Sequence, residues 1–429
     1  MNRPFHWVIL LRNHGGLKGP FMTRKEKIIV ALTASSHAVT HGNQLIFPSV
    51  LLLLQREFSV GYFQLGMIGN IMNLAYGLGA LPGGMIYNYL GPKRLYLFCF
   101  LGSGASLIVA GLSPNLMVFA IALGFLGAAG SVYHPLANAL ITSNVTQYGK
   151  ALGIHGSTAN IGMGLAPFIG GVIAAEFGWR PTYLWFALPS VLIAVWALSV
   201  EMAGADQAVP RRASELKKKA ALPRSGKGYF SPALICIYGA NLLNTFCYFG
   251  TTTFLPTYMA QRVTVRIFSL ESVAVGGMLS GIALLMGVFG QYAGGLFAQG
   301  KNLERNFVFI CLFGCPLLLG MTFTSEILFF LLALTYFFFN FFIQPMNNTL
   351  LAHHTPVSMR GTAFGIYFST AFGVGSLSSS ISGYIAQRFG LQWVFFWLSL
   401  AALIMAVFAI VLHQMKDRGI EPSMPNEEI

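Results

Sequence analysis

The sequence has little charge. Only 9% of its 429 residues are Asp, Glu, Lys or Arg, whereas 55% are hydrophobic. A soluble domain carries about 25% charged residues, so this chain could not cover a globule with a polar surface. The composition therefore excludes an ordinary soluble protein and predicts one embedded in a lipid bilayer.

Acidic residues are especially scarce. The chain has 13 Asp and Glu residues, and all of them fall in predicted loops, at helix ends or in the terminal tails. No predicted membrane span has a central carboxylate, which is the usual proton relay of a pump or antiporter. If transport is coupled to protons, another type of side chain must carry them.

Cysteines and catalytic motifs are also few. The five cysteines, Cys99, Cys236, Cys247, Cys311 and Cys315, fall inside predicted helices, where we interpret them as small buried hydrophobes. The sequence has no nucleophile–base set, metal motif or phosphate-binding loop. It therefore predicts neither an enzyme nor a protein with a cofactor or a bound metal. The apolar run from Trp7 to Leu11 is too short for a signal peptide.

Long apolar segments, in contrast, are abundant. Blocks of about 18 to 27 residues recur between short loops, and this is the length with which a helix crosses ~30 Å of hydrocarbon. The predicted spans 1 to 12 cover residues 28–54, 62–88, 95–112, 115–142, 151–175 and 182–200, and then 232–260, 272–298, 307–324, 327–352, 362–386 and 392–413. The pattern predicts an all-α polytopic membrane protein with twelve transmembrane helices in two six-helix halves.

The distribution of Lys and Arg predicts the orientation. The net charge of +13 could indicate a nucleic-acid partner, but the basic residues follow the loops and form no single patch. Twenty-one of the 26 fall on the side of the N-terminus, and the other five, Arg56, Arg180, Arg262, Arg266 and Arg388, on the opposite side. By the positive-inside rule, we expect a cell (inner) membrane protein with both termini in the cytoplasm and no nucleic-acid partner.

The same loops predict the domain organisation. We expect a cytoplasmic N-terminal tail at 1–27, a first half at 28–200, a basic linker at 201–231, a second half at 232–413 and a cytoplasmic tail at 414–429. The linker contains seven basic residues and is interpreted as a segment that lies against anionic lipid headgroups.

The two halves match each other in sequence. GGMIYNYLGPKR (83–94) aligns with GGLFAQGKNLER (294–305), YHPLANAL (133–140) with IQPMNNTL (343–350), and GKALGIHGS (149–157) with GTAFGIYFS (361–369). Because each half has six spans, both halves start on the same side of the membrane, which predicts a parallel repeat with a pseudo-two-fold axis along the membrane normal.

These features resemble the major facilitator superfamily. The family has a loop between spans 2 and 3 with two glycines, an acid between them and basic residues at the end; Gly84, Gly91, Lys93 and Arg94 correspond to it, while Asn88 stands at the acidic position. In the second copy Gln299 stands there, and Arg305 matches Arg94. We expect these seven residues to form a gating loop, although an amide cannot form the family's ion pair. GSVYHPLANAL (130–140) and GKALGIHGSTANIGMGLAP (149–167) resemble the fosmidomycin-resistance type of exporter, which implies export.

Histidines occupy spans where acids are missing. His37 and His41 lie four residues apart in span 1, hence on one helix face, and His134 and His155 lie in spans 4 and 5. A histidine in a wet cavity can exchange protons in the physiological range. We predict that these residues carry protons or bind an anionic group; helix–helix hydrogen bonding is the alternative. A zinc site at His37 and His41 would need a third ligand such as His134, which no motif predicts.

Neutral polar residues extend this predicted path. The resemblance implies a cavity lined by spans 1, 4, 7 and 10, and their remaining polar residues are Asn43, Gln44, Asn138, Asn241, Asn244, Thr245, Asn340, Gln344, Asn347 and Asn348. An unpaired amide in hydrocarbon costs several kcal/mol, so each must face water, a partner helix or a solute.

The sequence thus predicts a secondary active transporter of a small solute that works by alternating access. The leading expectation is export of a drug-like or metabolite compound, with proton coupling through histidines. One alternative is uptake or facilitated transport of an organic or inorganic anion. Another is a transport-inactive membrane scaffold or sensor. The expected partners are a small-molecule substrate, the lipid bilayer and protons, and we expect a monomer.

Overall fold

The computed structural model describes residues 22–202, 229–264, 270–299, 302–356 and 359–417, apart from the side chains of Leu81, Met85 and Asn88. The first half consists of α1 (Arg24–Phe58), α2 (Tyr62–Gly111), α3 (Leu116–Ser131), α4 (Tyr133–Asn144), α5 (Tyr148–Phe177) and α6 (Trp179–Ser199). The second half consists of α7 (Pro232–Arg262), α8 (Ser272–Phe297), α9 (Leu303–Phe323), α10 (Glu326–His353), α11 (Arg360–Ser369), a π-helical turn (Thr370–Val374), α12 (Leu377–Phe389) and α13 (Gln392–Asp417). The predicted tail 1–21, linker residues 203–228 and tail 418–429 lie outside the described residues.

The helices confirm the all-α polytopic architecture. Nine helical segments within the described residues are long and apolar enough to cross a membrane, and they correspond to predicted spans 3 to 10 and span 12. Spans 1, 2 and 11 are helical too. They fall short by that measure because span 1 carries histidines and amides, span 2 carries glycines and asparagines, and span 11 is interrupted by the π-helical turn.

The predicted spans differ in detail from the structure in three places. Spans 2 and 3 are two helical stretches of α2 that are separated by a kink at Gly91, inside the predicted loop; the backbone of Gly91 is non-helical, with a φ of 73°, a left-handed value that favours glycine. Span 4 is split at Val132 into α3 and α4. Pro135, three residues later, lacks an N–H and clashes with the carbonyl of the preceding turn. Span 11 is split by the π-helical turn.

The apolar core shows how the two halves fit together. We call the end of the bundle that carries Met22 and Asp417 the termini end, and the opposite end, with the turns at Ser59 and Gly178, the far end. Toward the far end a single buried cluster joins both halves, and its members run from Leu45 in the first half to Ala402 in the second. Toward the termini end each half has its own cluster. The halves are therefore sealed together at the far end and separate at the termini end.

Glycines make the seal at the far end possible. A Cβ on Gly66 of α2 would overlap the carbonyl oxygen of Ser379 in α12, and one on Gly277 of α8 would overlap that of Pro167 in α5. The Phe63 backbone N–H also donates to Oε1 of Gln387 at 3.1 Å. Small residues let the backbones of facing membrane helices come this close.

Matching contacts in the two halves agree with the internal repeat. Gly83 faces Val132, from which an added Cβ would lie at 3.0–3.3 Å, and the aligned Gly294 faces Phe342 next to Pro345. Val132 and Phe342 occupy the same place relative to the aligned prolines Pro135 and Pro345. The sequence alignment therefore corresponds to equivalent packing between spans 2 and 4 and between spans 8 and 10.

Candidate functional site

A cavity of about 390 Å³ lies between the two halves. The first half lines it from α1, α2, α4 and α5, and the second half from α7, α8, α10, α11 and the π-helical turn. Its lining runs from Pro48 and Thr253 near the sealed region to Asn138 and Gln344 toward the termini end. The cavity therefore extends toward the end where the halves are separate.

Four histidines cluster on the wall that the first half forms. The ring of His37 stacks on that of His155, with 4.0 Å between centroids and 11° between planes. It lies 4.9 Å from His41 and 5.1 Å from His134. His37 and His41 share one face of α1, the break before α4 turns His134 toward them, and α5 brings in His155 from the other side. His37, His41 and His134 line the cavity, and His155 lies behind His37.

Backbone carbonyls fix the orientation of two of these rings. Nδ1 of His37 donates to the carbonyl oxygen of His155 at 2.6 Å, and Nδ1 of His155 donates to that of Thr33 at 3.3 Å. Because a carbonyl oxygen only accepts, the proton of each neutral ring is on Nδ1. The Nε2 atoms of His37 and His155 are buried and have no hydrogen-bond partner among the described residues.

The second half forms an amide wall. Nδ2 of Asn340 donates to Oδ1 of Asn244 at 2.9 Å, and Nδ2 of Asn241 donates to the carbonyl oxygen of Tyr367 at 3.0 Å. The Asn241 bond has a counterpart across the repeat, because Tyr367 aligns with His155, whose carbonyl accepts from His37. Thr245 and Gln344 also line the cavity.

Several residues predicted for the path do not line it. Asn43 donates to the hydroxyl of Ser190 in α6 at 2.9 Å, so it joins two helices and faces away from the cavity. Asn347 is buried, with 1% of its surface exposed, and neither it nor Asn348 reaches the cavity. These placements correct the prediction that all three line the path. Asn43 is next to the cavity residue Gln44 in the sequence but lies on another face of α1, and Asn347 and Asn348 lie on a turn of α10 that faces the rest of the second half.

Other polar residues of the lining were not predicted. Asn73 of α2, Asn160 of α5 and Gln291 of α8 line the cavity, and Asn160 donates to Gln291 across the boundary between the halves. Each of the three is an amide in a predicted span and could have been found in the sequence. They lie outside spans 1, 4, 7 and 10, which the family resemblance implies as the cavity lining. Rings such as Tyr76, Tyr248, Phe341 and Phe372 supply much of the remaining surface.

The lining carries no fixed charge. Among the described residues that form it, none is Asp, Glu, Lys or Arg, in agreement with the absence of central carboxylates from the sequence. Polar contacts come from amides, imidazoles and hydroxyls. A bound solute would therefore meet neutral hydrogen-bonding groups on both walls and aromatic rings between them.

The predicted gating loop lies at the termini end, outside the cavity. Lys93 donates to the carbonyl oxygen of Leu198 at 2.8 Å and so holds the kink of α2 against the end of α6. Arg94, Gln299 and Arg305 are exposed. Gly84 lies in α2, and the side chain of Asn88 lies outside the described part of the chain, so the gating role stays a prediction.

Two six-helix halves around one central cavity define a polytopic membrane transporter. The chain belongs to the Major Facilitator Superfamily, whose family model matches residues 33–380. Membership in this family makes it a transporter and not an enzyme, and it confirms the resemblance seen in the sequence.

Individual relatives support the same classification. The chain is 25% identical over 372 residues to the probable sulfoacetate transporter of Cupriavidus necator, covering 79% of this chain and 82% of that protein. It is 25% identical over 380 residues to the fosmidomycin resistance protein of Escherichia coli, covering 86% and 88%. A solved bacterial homologue of the human lysosomal transporter Spinster, inward-facing and occupied, shares the fold with a TM-score of 0.76 at 13% identity, covering 92% of this chain and 98% of that one.

Proposed function

We propose that the protein is a secondary transporter that exports a small organic anion by alternating access through the cavity between its halves. The lining is the observation that carries the proposal: amides, imidazoles and hydroxyls supply the polar contacts, and no carboxylate among the described lining residues would repel an anion. Hydrogen bonds to a charged group contribute about 1.5–3 kcal/mol each, so several neutral donors can replace part of an anion's hydration.

The donors come from both halves. Gln44 and Asn138 belong to the first half, and Gln291 and Gln344 to the second. A solute held between them contacts two bodies that can rock against each other, which is how transporters with such repeats alternate access. With the orientation predicted from the Lys and Arg residues, the cavity of this structure would face the cytoplasm, the side from which an exporter loads.

Two relatives support the class of solute and the direction. One is named as a probable sulfoacetate transporter, and sulfoacetate carries a sulfonate and a carboxylate. The other is named as a resistance protein, which supports export. The second candidate is uptake or facilitated transport of an anion without proton exchange. The absence of carboxylates from the described lining favours it, because a carboxylate is the usual proton relay of an antiporter.

Flux into liposomes tests the proposal. Purified protein is reconstituted, and labelled sulfonates, phosphonates and carboxylates of a few carbons are offered with and without an imposed pH gradient. We expect flux of at least one anion, reduced in the nearly isosteric cavity variants Asn138→Leu and Gln344→Leu. His353→Ala, an exposed histidine at the termini end, is the control and should match the unmodified protein.

The outcomes separate the candidates. Flux driven by an opposing pH gradient supports proton-coupled export, the coupling that the sequence predicts for His37, His41 and His134, and flux that ignores the gradient supports facilitated transport. Equal flux in the cavity variants and the control would show that the cavity is not the path. No flux across the whole panel would sink the proposal and favour the scaffold.

A further inference from the structure

We infer that the histidine cluster is a binding site for a divalent transition-metal ion of the zinc type, held by His37, His134 and His155. One ring nitrogen from each of these residues can be chosen so that all lie within 4.8 Å of one another. The three residues come from α1, α4 and α5, so the site is formed by tertiary packing of the first half. It goes beyond the proposed function and does not depend on which solute is carried.

The hydrogen bonds prepare the ligand atoms. Metal-binding histidines usually donate their second ring N–H to a carbonyl or carboxylate, which fixes the tautomer and aims the free nitrogen at the ion. His37 and His155 do this through Nδ1, to the carbonyls of His155 and Thr33. Their Nε2 atoms are thereby left unprotonated and able to bind an ion.

The Nε2 atoms of these two rings make no hydrogen bond within the described residues. His37 and His155 are 6% and 4% exposed, and both Nε2 atoms lack a hydrogen-bond partner among the described residues. A buried acceptor without a partner costs about 1–3 kcal/mol. A metal ion bound to both nitrogens removes that cost, whereas helix–helix hydrogen bonding needs only the Nδ1 atoms.

The third ligand makes the site accessible. His134 is half-buried and lines the cavity, so an ion can reach the cluster from there. Tetrahedral zinc with Zn–N distances of about 2.0–2.1 Å needs nitrogens about 3.3 Å apart, so two rings must turn when the ion binds. His134 must close the remaining gap, and His155, whose Nδ1 bond is 3.3 Å long, must tilt out of its parallel stack on His37. Three imidazole ligands leave the fourth coordination position of the ion open for water or for an anion from the cavity.

The donor set selects the class of metal. Imidazole nitrogen suits zinc, copper, nickel and iron, whereas calcium and magnesium prefer oxygen. Within the part of the chain that the structure describes, this group of three histidines includes no carboxylate and no thiol. In the sequence, a zinc site needed a third ligand such as His134, which no motif predicts. In the structure, helix packing brings both His134 and His155 to His37.

Two substitutions test the site without removing the helix contacts. His37→Asn and His155→Asn each keep an N–H close to the position of Nδ1 and delete Nε2. An asparagine already makes a bond of this kind in the second half, where Asn241 donates to the carbonyl oxygen of Tyr367, the residue that aligns with His155. Both variants should therefore fold, and size-exclusion profiles and melting temperatures check this.

The measurement is metal binding by the full-length chain in detergent. Chelator-treated protein is titrated with Co²⁺, whose visible absorption reports nitrogen ligands in a low-symmetry site, and with Zn²⁺ in competition. We expect one ion per chain, binding weakened at least roughly tenfold in both variants, and no change in His353→Ala. Absence of binding in the unmodified protein, or equal binding in all four proteins, would overturn the inference. Because no transport is measured, failure of the proposed solute leaves this result intact.

Discussion

At the scale of single residues, neighbours on one helix have different roles. Asn43 and Gln44 are adjacent, yet Asn43 bonds to Ser190 of α6 while Gln44 lines the cavity next to His41. Consecutive helix positions are about 100° apart, so the sequence alone could not decide which of the two amides faces the solute. The rotation of α1 about its own axis decides it.

This difference gives a paired prediction. Asn43→Ala removes a buried hydrogen bond and leaves the Ser190 hydroxyl unpaired, so it should destabilise the protein by about 1–3 kcal/mol and leave solute affinity unchanged. Gln44→Ala should do the reverse. Melting temperature and solute-induced melting shift, measured on both variants, check this. Equal loss of solute affinity in the two would contradict the assignment.

The Asn244 and Asn340 pair is a second case. The two amides link α7 and α10 by a bond of 2.9 Å, and Asn340 also donates to the Tyr336 hydroxyl at 3.3 Å. Asn340→Leu is similar in volume but strands Oδ1 of Asn244, so we expect a lower melting temperature. Thr335→Ala, an exposed position on the same helix, is the control. A melting temperature for Asn340→Leu at or above that control would be the contrary result.

At the scale of elements, the sequence specified most helices and the interruption at Gly91, and missed the interruptions inside spans 4 and 11. Long apolar runs fix where helices lie, because backbone groups in lipid must bond within the segment. The kink at Gly91 and the break before Pro135 follow from residues whose conformational limits are readable. The π-helical turn at Thr370–Val374 contains Gly373 but no proline, and Gly373 has no positive φ. The turn depends on packing, with Phe372 lying between the rings of Tyr76 and Phe249.

The candidate site was only partly readable for the same reason. Spacing along α1 predicted that His37 and His41 share a face, and they do. That His155 would stack on His37 depends on how α5 packs against α1, where Gly162 sits against the backbone of Ala38. A local motif carries no information on that contact, so the stacking of His155 on His37 and the proposed metal site appear only in three dimensions.

Packing between α5 and α8 yields a prediction for an element contact. Gly277→Val puts a side chain where Pro167 and Gly171 leave no room, so it should force the halves apart at the far end. We expect less flux and faster modification of a cysteine introduced in place of Thr253. Gly295→Val, where nothing lies within 4 Å of the added Cβ, is the control. Equal modification rates in both would refute the role of this contact in the seal.

At the scale of the whole molecule, orientation is the first thing to establish. The positive-inside rule predicts that the termini end faces the cytoplasm. Asn302 and Arg388 are exposed at the termini end and the far end, respectively. In intact cells an impermeant maleimide should label Arg388→Cys, and it should label Asn302→Cys only after permeabilisation. The opposite pattern would invert the topology and reverse the proposed direction of transport.

The central claim is that the cavity between the halves carries a solute across the membrane. Counterflow tests it most directly: liposomes loaded with an unlabelled anion are diluted into a trace of the labelled one. The account predicts transient accumulation of label with the unmodified protein and with His353→Ala, and little with Gln344→Leu. A solute that raises the melting temperature but shows no counterflow would mean that the cavity binds without transporting, and would contradict the account.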